Sequence, residues 1–275
     1  QIPKPILVTA KIFEAISPKL ATLFAAKLFT TPIKYKIPKR ELHMLKQSEH
    51  QNLFIPSINK NIYVYQYGKS QKKILLVHGW SGRGTQLVKI ADELLKQGYS
   101  TISFDAPAHG KSKGNSSIMT EFIASIHELN KQFGPFEFAI GHSLGGMAIT
   151  NAINQNLKVK KAVIIGSGDL IQDIITDFIQ KIQLKPEIGD RMRIHFEKKF
   201  GEPMNNYSTS VVSKNIETPI LIIHDEDDSD VNVKCAHNIH NHLKNSKLMI
   251  TKKLGHRKIL GNEKVIEEII TFIKS

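Results

Sequence analysis

The sequence predicts an α/β fold in which a mostly parallel sheet carries helices on both faces. From residue 52 onward, short apolar segments with strand character alternate with longer segments of helical periodicity, as in sheets whose parallel strands are connected by helices. Segments 74–77 and 162–165 are continuously apolar, which is typical of strands buried on both faces. With 275 residues, 41% of them hydrophobic, the chain can form one domain with a sizeable core.

The expected elements follow from this alternation, taken in chain order. Apolar segments of strand length predict strands at 52–56, 61–67, 73–77, 100–104, 136–140, 162–166, 219–224 and 247–251. Apolar residues at helical spacing predict helices at 84–97, 119–133, 145–156, 232–244 and 263–273. We therefore expect a core made of 51–166 and 219–275. The intervening segment, 167–218, has helical rather than strand character and is expected to form a small cap over the carboxyl ends of the strands, where ligands of such sheets bind.

Residues 1–50 differ from the rest of the chain. Segment 6–29 is apolar but interrupted by Lys11, Glu14, Lys19 and Lys27, which predicts two short amphipathic helices rather than a transmembrane helix. We expect this N-terminal helical segment to pack on the core. Peripheral contact of a basic amphipathic helix with a membrane is the alternative.

The composition restricts the partners and the compartment. The formal charge is +13, but the lysines are scattered and not interleaved with aromatic residues, so a solvated basic surface is expected rather than a nucleic-acid site. The single cysteine, Cys235, excludes an intramolecular disulfide and favours a reducing, cytoplasmic location. Three histidines lie close together in 237–242, but no further ligand completes a metal shell, so neither a metal nor a cofactor is expected.

A Gly-x-Ser-x-Gly pattern at 141–145 identifies the candidate nucleophile. Ser143 lies between the predicted strand 136–140 and the predicted helix 145–156. A serine at such a strand-to-helix turn needs a strained backbone, and Gly141 and Gly145 allow the close approach that this requires. The amide-rich start of the helix favours negative charge where an acyl-transfer intermediate would develop it.

A serine hydroxyl is a weak nucleophile and needs a base, which a third group must orient. His256 follows the last predicted strand and Gly255, so it is the candidate base. Asp228 lies in the acidic segment 225–230 after strand 219–224 and is the candidate carboxylate, while Asp230 is expected to cap the helix that starts near Asn232. A calcium loop is excluded, because its sixth and twelfth positions lack the required glycine and glutamate.

Two backbone amides are candidates for binding the oxyanion. Gly79 and Trp80 belong to a glycine-rich turn after strand 73–77, and Leu144 follows the nucleophile. The N–H groups of Trp80 and Leu144 are the predicted pair.

These motifs resemble the α/β-hydrolase fold superfamily. The resemblance covers 52–275 and is carried by 78–80, 105–112, 141–146, 224–231 and 255–256. It implies an eight-stranded sheet with an inserted cap, a Ser143-His256-Asp228 triad and an oxyanion hole at Trp80 and Leu144. The chain order serine, acid, histidine agrees with the superfamily. Ala108 and Asp225 stand where the superfamily usually has glycine, and the resemblance does not account for residues 1–50.

The resulting functional prediction is a carboxylesterase-like serine hydrolase that acts on a small-molecule acyl substrate. Because Ser143 and not an aspartate occupies the turn, the route is an acyl-enzyme that water hydrolyses. A thioester is a variant of the same substrate class. A carbon–carbon bond hydrolase and a non-catalytic ligand-binding protein remain as alternatives, because a fold does not fix a substrate. The sequence leaves the oligomeric state open.

Overall fold

A computed structural model describes residues 2–275, and in this range the chain forms an eight-stranded sheet. The strands are β1 (Glu49–Ile55), β2 (Lys60–Tyr67), β3 (Lys73–Val77), β4 (Ser100–Asp105), β5 (Phe138–His142), β6 (Lys161–Ile165), β7 (Ile220–Asp225) and β8 (Ser246–Thr251). Their order across the sheet is β1-β2-β4-β3-β5-β6-β7-β8. β2 is antiparallel to β1 and β4, and all other neighbours are parallel. The predicted mostly parallel sheet is confirmed.

The helices connect these strands or extend from them. In chain order they are α1 (Lys4–Ile16), α2 (Pro18–Phe29), α3 (Leu42–Gln47), α4 (Val88–Lys96), α5 (Met119–Phe133), α6 (Leu144–Asn154), α7 (Ile171–Lys181), α8 (Pro186–Phe200), α9 (Thr209–Ser213), α10 (Lys234–His242), α11 (Gly255–Lys258) and α12 (Glu263–Lys274). The helix expected from residue 84 begins at Val88, because the amide of Gly84 donates to the carboxylate of Asp105 at 2.7 Å and this loop is used in a tertiary contact.

Two apolar layers cover the faces of the sheet. α5, α6 and α10 pack on one face, around residues such as Phe104 and Ile164, and α4 and α12 pack on the other, around Ile140 and Ile223. Side chains from opposite sides of each buried strand enter the two layers alternately, as strand geometry requires. The carboxyl ends of the parallel strands are left free of these layers, and the candidate functional residues follow those ends.

A third apolar cluster joins the N-terminal helices to the segment between β6 and β7. Small residues of α1 and α2, among them Ala10 and Ala25, are buried in the same cluster as Ile175 of α7 and Met192 of α8, and α2 packs directly on α8. The alanines allow the helices to approach closely, and Ser17 caps α2 by accepting from the amide of Lys19 at 3.2 Å. Among the described residues, no helix combines the length and the apolar character that crossing a bilayer requires.

Candidate active site

Ser143 occupies a strained turn between β5 and α6. Its backbone has φ 54° and ψ −121°. Residues other than glycine rarely adopt this conformation, so the surrounding structure must enforce it. The amide of Ser143 donates to the carbonyl of Ile165 in β6 at 2.9 Å. The turn therefore holds the hydroxyl clear of the sheet, at the start of α6.

Glycines make this turn possible by close backbone contact. A Cβ on Gly141 would lie 2.5 Å from the carbonyl oxygen of Gly145, and a Cβ on Gly145 would lie 2.3 Å from the carbonyl oxygen of Val77. A Cβ on Gly79 would lie 2.9 Å from the Cβ of Ser143. Real Cβ atoms do not make contacts this short, so side chains at these three positions would displace the nucleophile.

Asp228 and His256 form a buried hydrogen-bonded pair. Nδ1–H of His256 donates to Oδ2 of Asp228 at 2.7 Å, and the two side chains are 11% and 1% exposed. The other carboxylate oxygen accepts from the amides of Asp230 and Val231 at 2.8 and 2.9 Å. Burial raises the pKa of Asp228, but the His256 and backbone hydrogen bonds outweigh it, so the pKa lies below its ordinary value. Asp228 is therefore ionised at neutral pH and leaves Nε2 of His256 free to accept a proton.

Ser143 and His256 both lie beside the end of β6. A Cβ on Gly166 would lie 3.2 Å from Nδ1 of His256 and 3.5 Å from Oδ2 of Asp228, and Gly166 has φ +56°. The preceding carbonyl, of Ile165, accepts from the amide of Ser143. The structure thus brings all three candidate residues to one place, although Ser143 Oγ makes no hydrogen bond with a residue in 2–275. Such bonds often form only in the substrate complex.

The loop that carries His256 is fixed by Asp225, which stands where the resembling superfamily usually has glycine. The carboxylate of Asp225 accepts from the amides of Gly255, Leu254 and Asp227 and from the hydroxyl of Thr251, at 2.7–3.1 Å. Burial raises the pKa of Asp225, but the hydrogen bonds to its carboxylate lower the pKa by more than burial raises it. The pKa of Asp225 is therefore below its ordinary value. An acidic residue ending β7 was visible in the sequence, but three of its four partners, Thr251, Leu254 and Gly255, are 26–30 residues away.

The predicted capping role of Asp230 is wrong. α10 begins at Lys234, and the amide of Lys234 donates to the side chain of Asn232 at 2.9 Å. Asp230 instead donates its amide to Asp228. The acidic loop is therefore turned toward the carboxylate that pairs with His256.

The two residues with the predicted oxyanion amides line the same cavity. Leu144 is the first residue of α6, and Trp80 follows Gly79 in the loop after β3. In residues 2–275 neither amide donates to a protein acceptor within hydrogen-bond distance, which leaves both able to bind a ligand oxygen. The amide of Gly79 donates to the side chain of Gln86 at 3.1 Å, and His78 donates to the carbonyl of Gly79 at 2.7 Å. The loop is thus held from within.

The N-terminal segment holds the same loop from outside, a contact that the sequence did not reveal. Glu41, which is fully buried, accepts from Arg83 Nε and from the hydroxyl of Thr85, both at 2.7 Å. The amide of Ile33 donates to the hydroxyl of Ser81 at 2.9 Å. More than forty residues separate the partners along the chain, so no local pattern could have predicted these contacts.

A buried histidine supports the base. Nε2–H of His142 donates to the carbonyl of His256 at 2.8 Å, and the two rings are 4.5 Å apart between centroids. Burial, together with the nearby His256, lowers the pKa of His142 to about 3. His142 is therefore neutral and holds the backbone of His256 by its hydrogen bond.

A cavity of about 980 Å³ extends from Ser143. Its lining combines the candidate site with the segment between β6 and β7 and with α2. Trp80, Ser143, Leu144 and Met147 line it, together with residues of 168–207 and with Leu28 and Phe29 of α2. The acidic lining residues are Asp169, Asp173, Asp177, Glu202 and Asp230, whereas the cationic ones are Lys181 and Lys234. The cavity can hold a ligand of considerable size, and its charged groups disfavour an anionic one.

No metal ligand set accompanies this cavity. Within residues 2–275, histidine, cysteine and carboxylate side chains form no cluster of three or more that could hold a metal ion. Of the neighbouring histidines in α10, His240 is hydrogen-bonded to the hydroxyl of Ser246 and His242 to the carbonyl of Asn238.

Comparison with known proteins gives the fold. Residues 72–204 match the family model described as alpha/beta hydrolase fold. Among curated proteins no significant match was found.

Three solved structures are similar over most of their length. An esterase from Pyrococcus furiosus has a TM-score of 0.68 and 18% identity, with 89% of this chain and 97% of that chain covered. An esterase from Exiguobacterium antarcticum has a TM-score of 0.64 and 18% identity, with 82% and 100% covered. A bromoperoxidase from Bacillus anthracis has a TM-score of 0.63 and 18% identity, with 82% and 99% covered. At this identity the likeness concerns the fold, and the named activities differ among the three.

Proposed function

The chain is an α/β-hydrolase by fold, and on that premise we propose that it is a serine hydrolase that cleaves carboxylic esters or thioesters. The observation that carries the proposal is the meeting of three groups beside the end of β6. Ser143 lies on a turn with φ 54°, and the Asp228–His256 pair has a 2.7 Å hydrogen bond. The amides of Trp80 and Leu144 donate to no protein acceptor in residues 2–275. These are the parts that acyl transfer to a serine needs.

The reaction follows from the protonation states. With Nδ1–H donated to ionised Asp228, Nε2 of His256 accepts the proton of Ser143 as Oγ attacks the acyl carbon. The amides of Trp80 and Leu144 stabilise the negative oxygen of the tetrahedral intermediate. His256 then protonates the leaving alcohol or thiol, which leaves an ester between Ser143 and the acyl group. Water, deprotonated by His256, hydrolyses this ester and releases the acid and the free serine.

The cavity indicates the class of acyl group. Its wall includes the apolar residues Leu144, Met147, Phe29 and Met119, which suits a hydrocarbon acyl chain. The carboxylates of Asp173 and Asp177, which also line the cavity, would repel an anionic leaving group. We therefore propose a neutral ester with an apolar acyl chain as the preferred substrate.

Two alternatives use the same scaffold. A carbon–carbon bond hydrolase would use the same serine and histidine on a diketone-like substrate, and a non-catalytic binding protein would use only the cavity. The ordered Asp228–His256 pair favours catalysis over binding alone, because a cavity without turnover has no need of an oriented base. Both alternatives predict that simple esters are not hydrolysed.

The test is hydrolysis of p-nitrophenyl esters of increasing acyl length by the native protein, Ser143→Ala and His256→Ala. We expect turnover that increases with acyl length and falls by about 10⁴–10⁶-fold in either variant. Ser213→Ala is a matched control, because Ser213 is buried and its hydroxyl donates only to the carbonyl of Thr209 in α9. Equal activity of Ser143→Ala and the native protein would exclude the proposal.

A further inference from the structure

The helical hairpin formed by α1 and α2 has an apolar face that the rest of the protein leaves uncovered. Val8, Ile12 and Ile16 are spaced by four residues and lie on one face of α1. Leu20 and Leu23 lie on α2. These five side chains are 42–66% exposed. A soluble surface rarely groups large apolar side chains in this way without a binding partner.

The hairpin also has a buried face, so the exposed face is not the one that packs on the rest of the protein. Ala10, Ala21, Ala25 and Ala26 are buried in the apolar cluster that also contains residues of α7 and α8, and α2 contacts α8 directly. The hairpin therefore has two apolar faces, a small-residue face that packs on the protein and a large-residue face that does not. Packing explains the alanines but not the exposed isoleucines and leucines.

Basic residues accompany the exposed face. Among residues 1–40, eight are basic and one, Glu14, is acidic, so more than half of the net charge of +13 lies in about one seventh of the chain. Lys4, Lys11, Lys19 and Lys27 are exposed on the two helices. Glu14 is occupied, because it accepts from the amide of Lys185 at 2.6 Å and pairs with Lys11 at 3.1 Å.

An apolar helix face bordered by lysines matches the surface of an anionic bilayer. The apolar side chains would enter the boundary between headgroups and acyl chains, while the lysines would contact phosphate groups. A second copy of this chain would present the same lysines and would be repelled by them, so charge complementarity favours the lipid over self-association.

The hairpin also leads to the cavity. Leu28 and Phe29, at the end of α2, line the wall of the cavity that contains Ser143. A few residues further, the amide of Ile33 is bonded to Ser81, next to Trp80, and Ile33 is itself exposed. The helix that would contact the lipid is therefore continuous with the wall of the proposed acyl site.

We infer that α1 and α2 form a docking hairpin for an anionic phospholipid bilayer, which presents the Ser143 cavity to esters dissolved in that bilayer. The docking does not depend on catalysis. Only its consequence, access to bilayer esters, rests on the proposed function.

The test is co-sedimentation with vesicles of phosphatidylcholine alone and of phosphatidylcholine mixed with phosphatidylglycerol. We expect binding to the mixed vesicles that weakens as salt is raised, because surface charges are screened. The double variant Ile12→Ser, Ile16→Ser should weaken binding by about tenfold or more. The triple variant Lys4→Gln, Lys19→Gln, Lys27→Gln should weaken it by roughly a hundredfold at low salt.

Matched controls separate this face from general surface properties. Phe54→Ser with Val211→Ser removes two exposed apolar side chains elsewhere, and Lys158→Gln with Lys214→Gln and Lys264→Gln removes the same charge elsewhere. Both controls should bind as the native protein does. The hairpin variants are expected to fold, because the changed side chains are exposed. Circular dichroism and thermal unfolding would establish this.

Three results would overturn the inference. The first is that the native protein does not bind the mixed vesicles, and the second is that the lysine control loses as much vesicle binding as the lysine variant of the hairpin. The third is a dimer in sedimentation velocity that the double variant Ile12→Ser, Ile16→Ser dissociates without loss of vesicle binding. The catalytic proposal is tested separately, because Ser143→Ala should bind vesicles as the native protein does. If native protein binds vesicles but hydrolyses no ester, the docking stands and the proposed function fails.

Discussion

The carboxylate of Glu41 accepts a 2.7 Å hydrogen bond from Nε of Arg83, and this buried pair joins the N-terminal segment to the loop that carries Trp80. The second carboxylate oxygen accepts from the Arg83 terminal nitrogen at 3.2 Å, so the contact is bidentate. Bidentate pairs of this kind fix geometry as well as contributing energy. The N-terminal segment is thereby part of the support of the candidate oxyanion site.

Glu41→Ala should destabilise the protein by about 3–5 kcal/mol, because it leaves Arg83 buried without its partner. Urea-induced unfolding would measure the change. The double variant Glu41→Ala, Arg83→Met should recover part of the loss. Glu93→Ala, which removes a more exposed carboxylate paired with Lys96, should cost less than about 1 kcal/mol. A free energy of unfolding in Glu41→Ala close to that of the Glu93→Ala control would contradict this account.

Gly166→Ala should reduce esterase activity by about a hundredfold, because its Cβ would lie 3.2 Å from Nδ1 of His256 and displace the base. Gly98→Ala is the matched control. Gly98 also has positive φ, at +83°, but nothing lies within 4 Å of its Cβ position. Both substitutions should cost about 1–2 kcal/mol of stability through backbone strain, and only Gly166→Ala should lose activity. Equal activities would mean that Gly166 has no role beside His256.

Asp228→Asn should lower kcat by about 10⁴-fold without unfolding the protein. An amide cannot hold Nδ1–H of His256 as an anion does, so the tautomer that accepts the Ser143 proton is no longer favoured. Glu226→Gln, in the same loop but exposed and paired with Lys252, is the control and should retain activity. Steady-state kinetics on one ester would measure both, and a native-like kcat in Asp228→Asn would remove Asp228 from the mechanism.

Acid should destabilise the protein through its buried histidines. Burial lowers the pKa of His109 from 6.5 to about 4, although Nδ1–H donates to the carbonyl of Pro107. As pH falls below about 6.5, His109 becomes protonated in the unfolded chain, whereas in the folded protein it stays neutral until the pH approaches about 4. The free energy of unfolding therefore falls across that window, by up to about 1.4 kcal/mol per pH unit from this residue.

His109→Phe tests this directly. A phenyl ring keeps the packing against Trp80 and Phe122 but cannot take up a proton. Thermal unfolding across the window should give a shallower decline in the variant than in the native protein, with a constant difference between the two at higher pH. An identical pH dependence would show that His109 titrates alike in the folded and unfolded states.

The sequence predicted the parts of the fold that depend on local pattern. The eight strands are found within a few residues of their expected positions, and the mostly parallel sheet is confirmed. Ser143, Asp228 and His256 were selected because each follows a strand-like segment, and parallel strands bring their carboxyl ends to one edge. Their roles in catalysis stay predictions, but their positions in the fold agree with them.

What the sequence did not predict depends on contacts between distant segments. Glu41 is an ordinary charged residue in the sequence, and its burial follows only once residues 39–41 lie against Arg83. Asp225 stood out in the sequence only as a departure from a usual glycine, yet its carboxylate accepts four hydrogen bonds, three of them from residues 251–255 just before His256. The wall that Leu28 and Phe29 give to the cavity likewise exists only after α2 packs on α8.

The central claim is that His256 and Asp228 activate Ser143 for attack on an acyl group. Intact-mass analysis after incubation with a fluorophosphonate tests it most directly, because this reagent bonds covalently to an activated serine. We predict one adduct per native chain, mapped to Ser143, none in Ser143→Ala, and strongly slowed labelling in His256→Ala. A folded native protein that stays unlabelled, or an adduct that persists in Ser143→Ala, would contradict the claim.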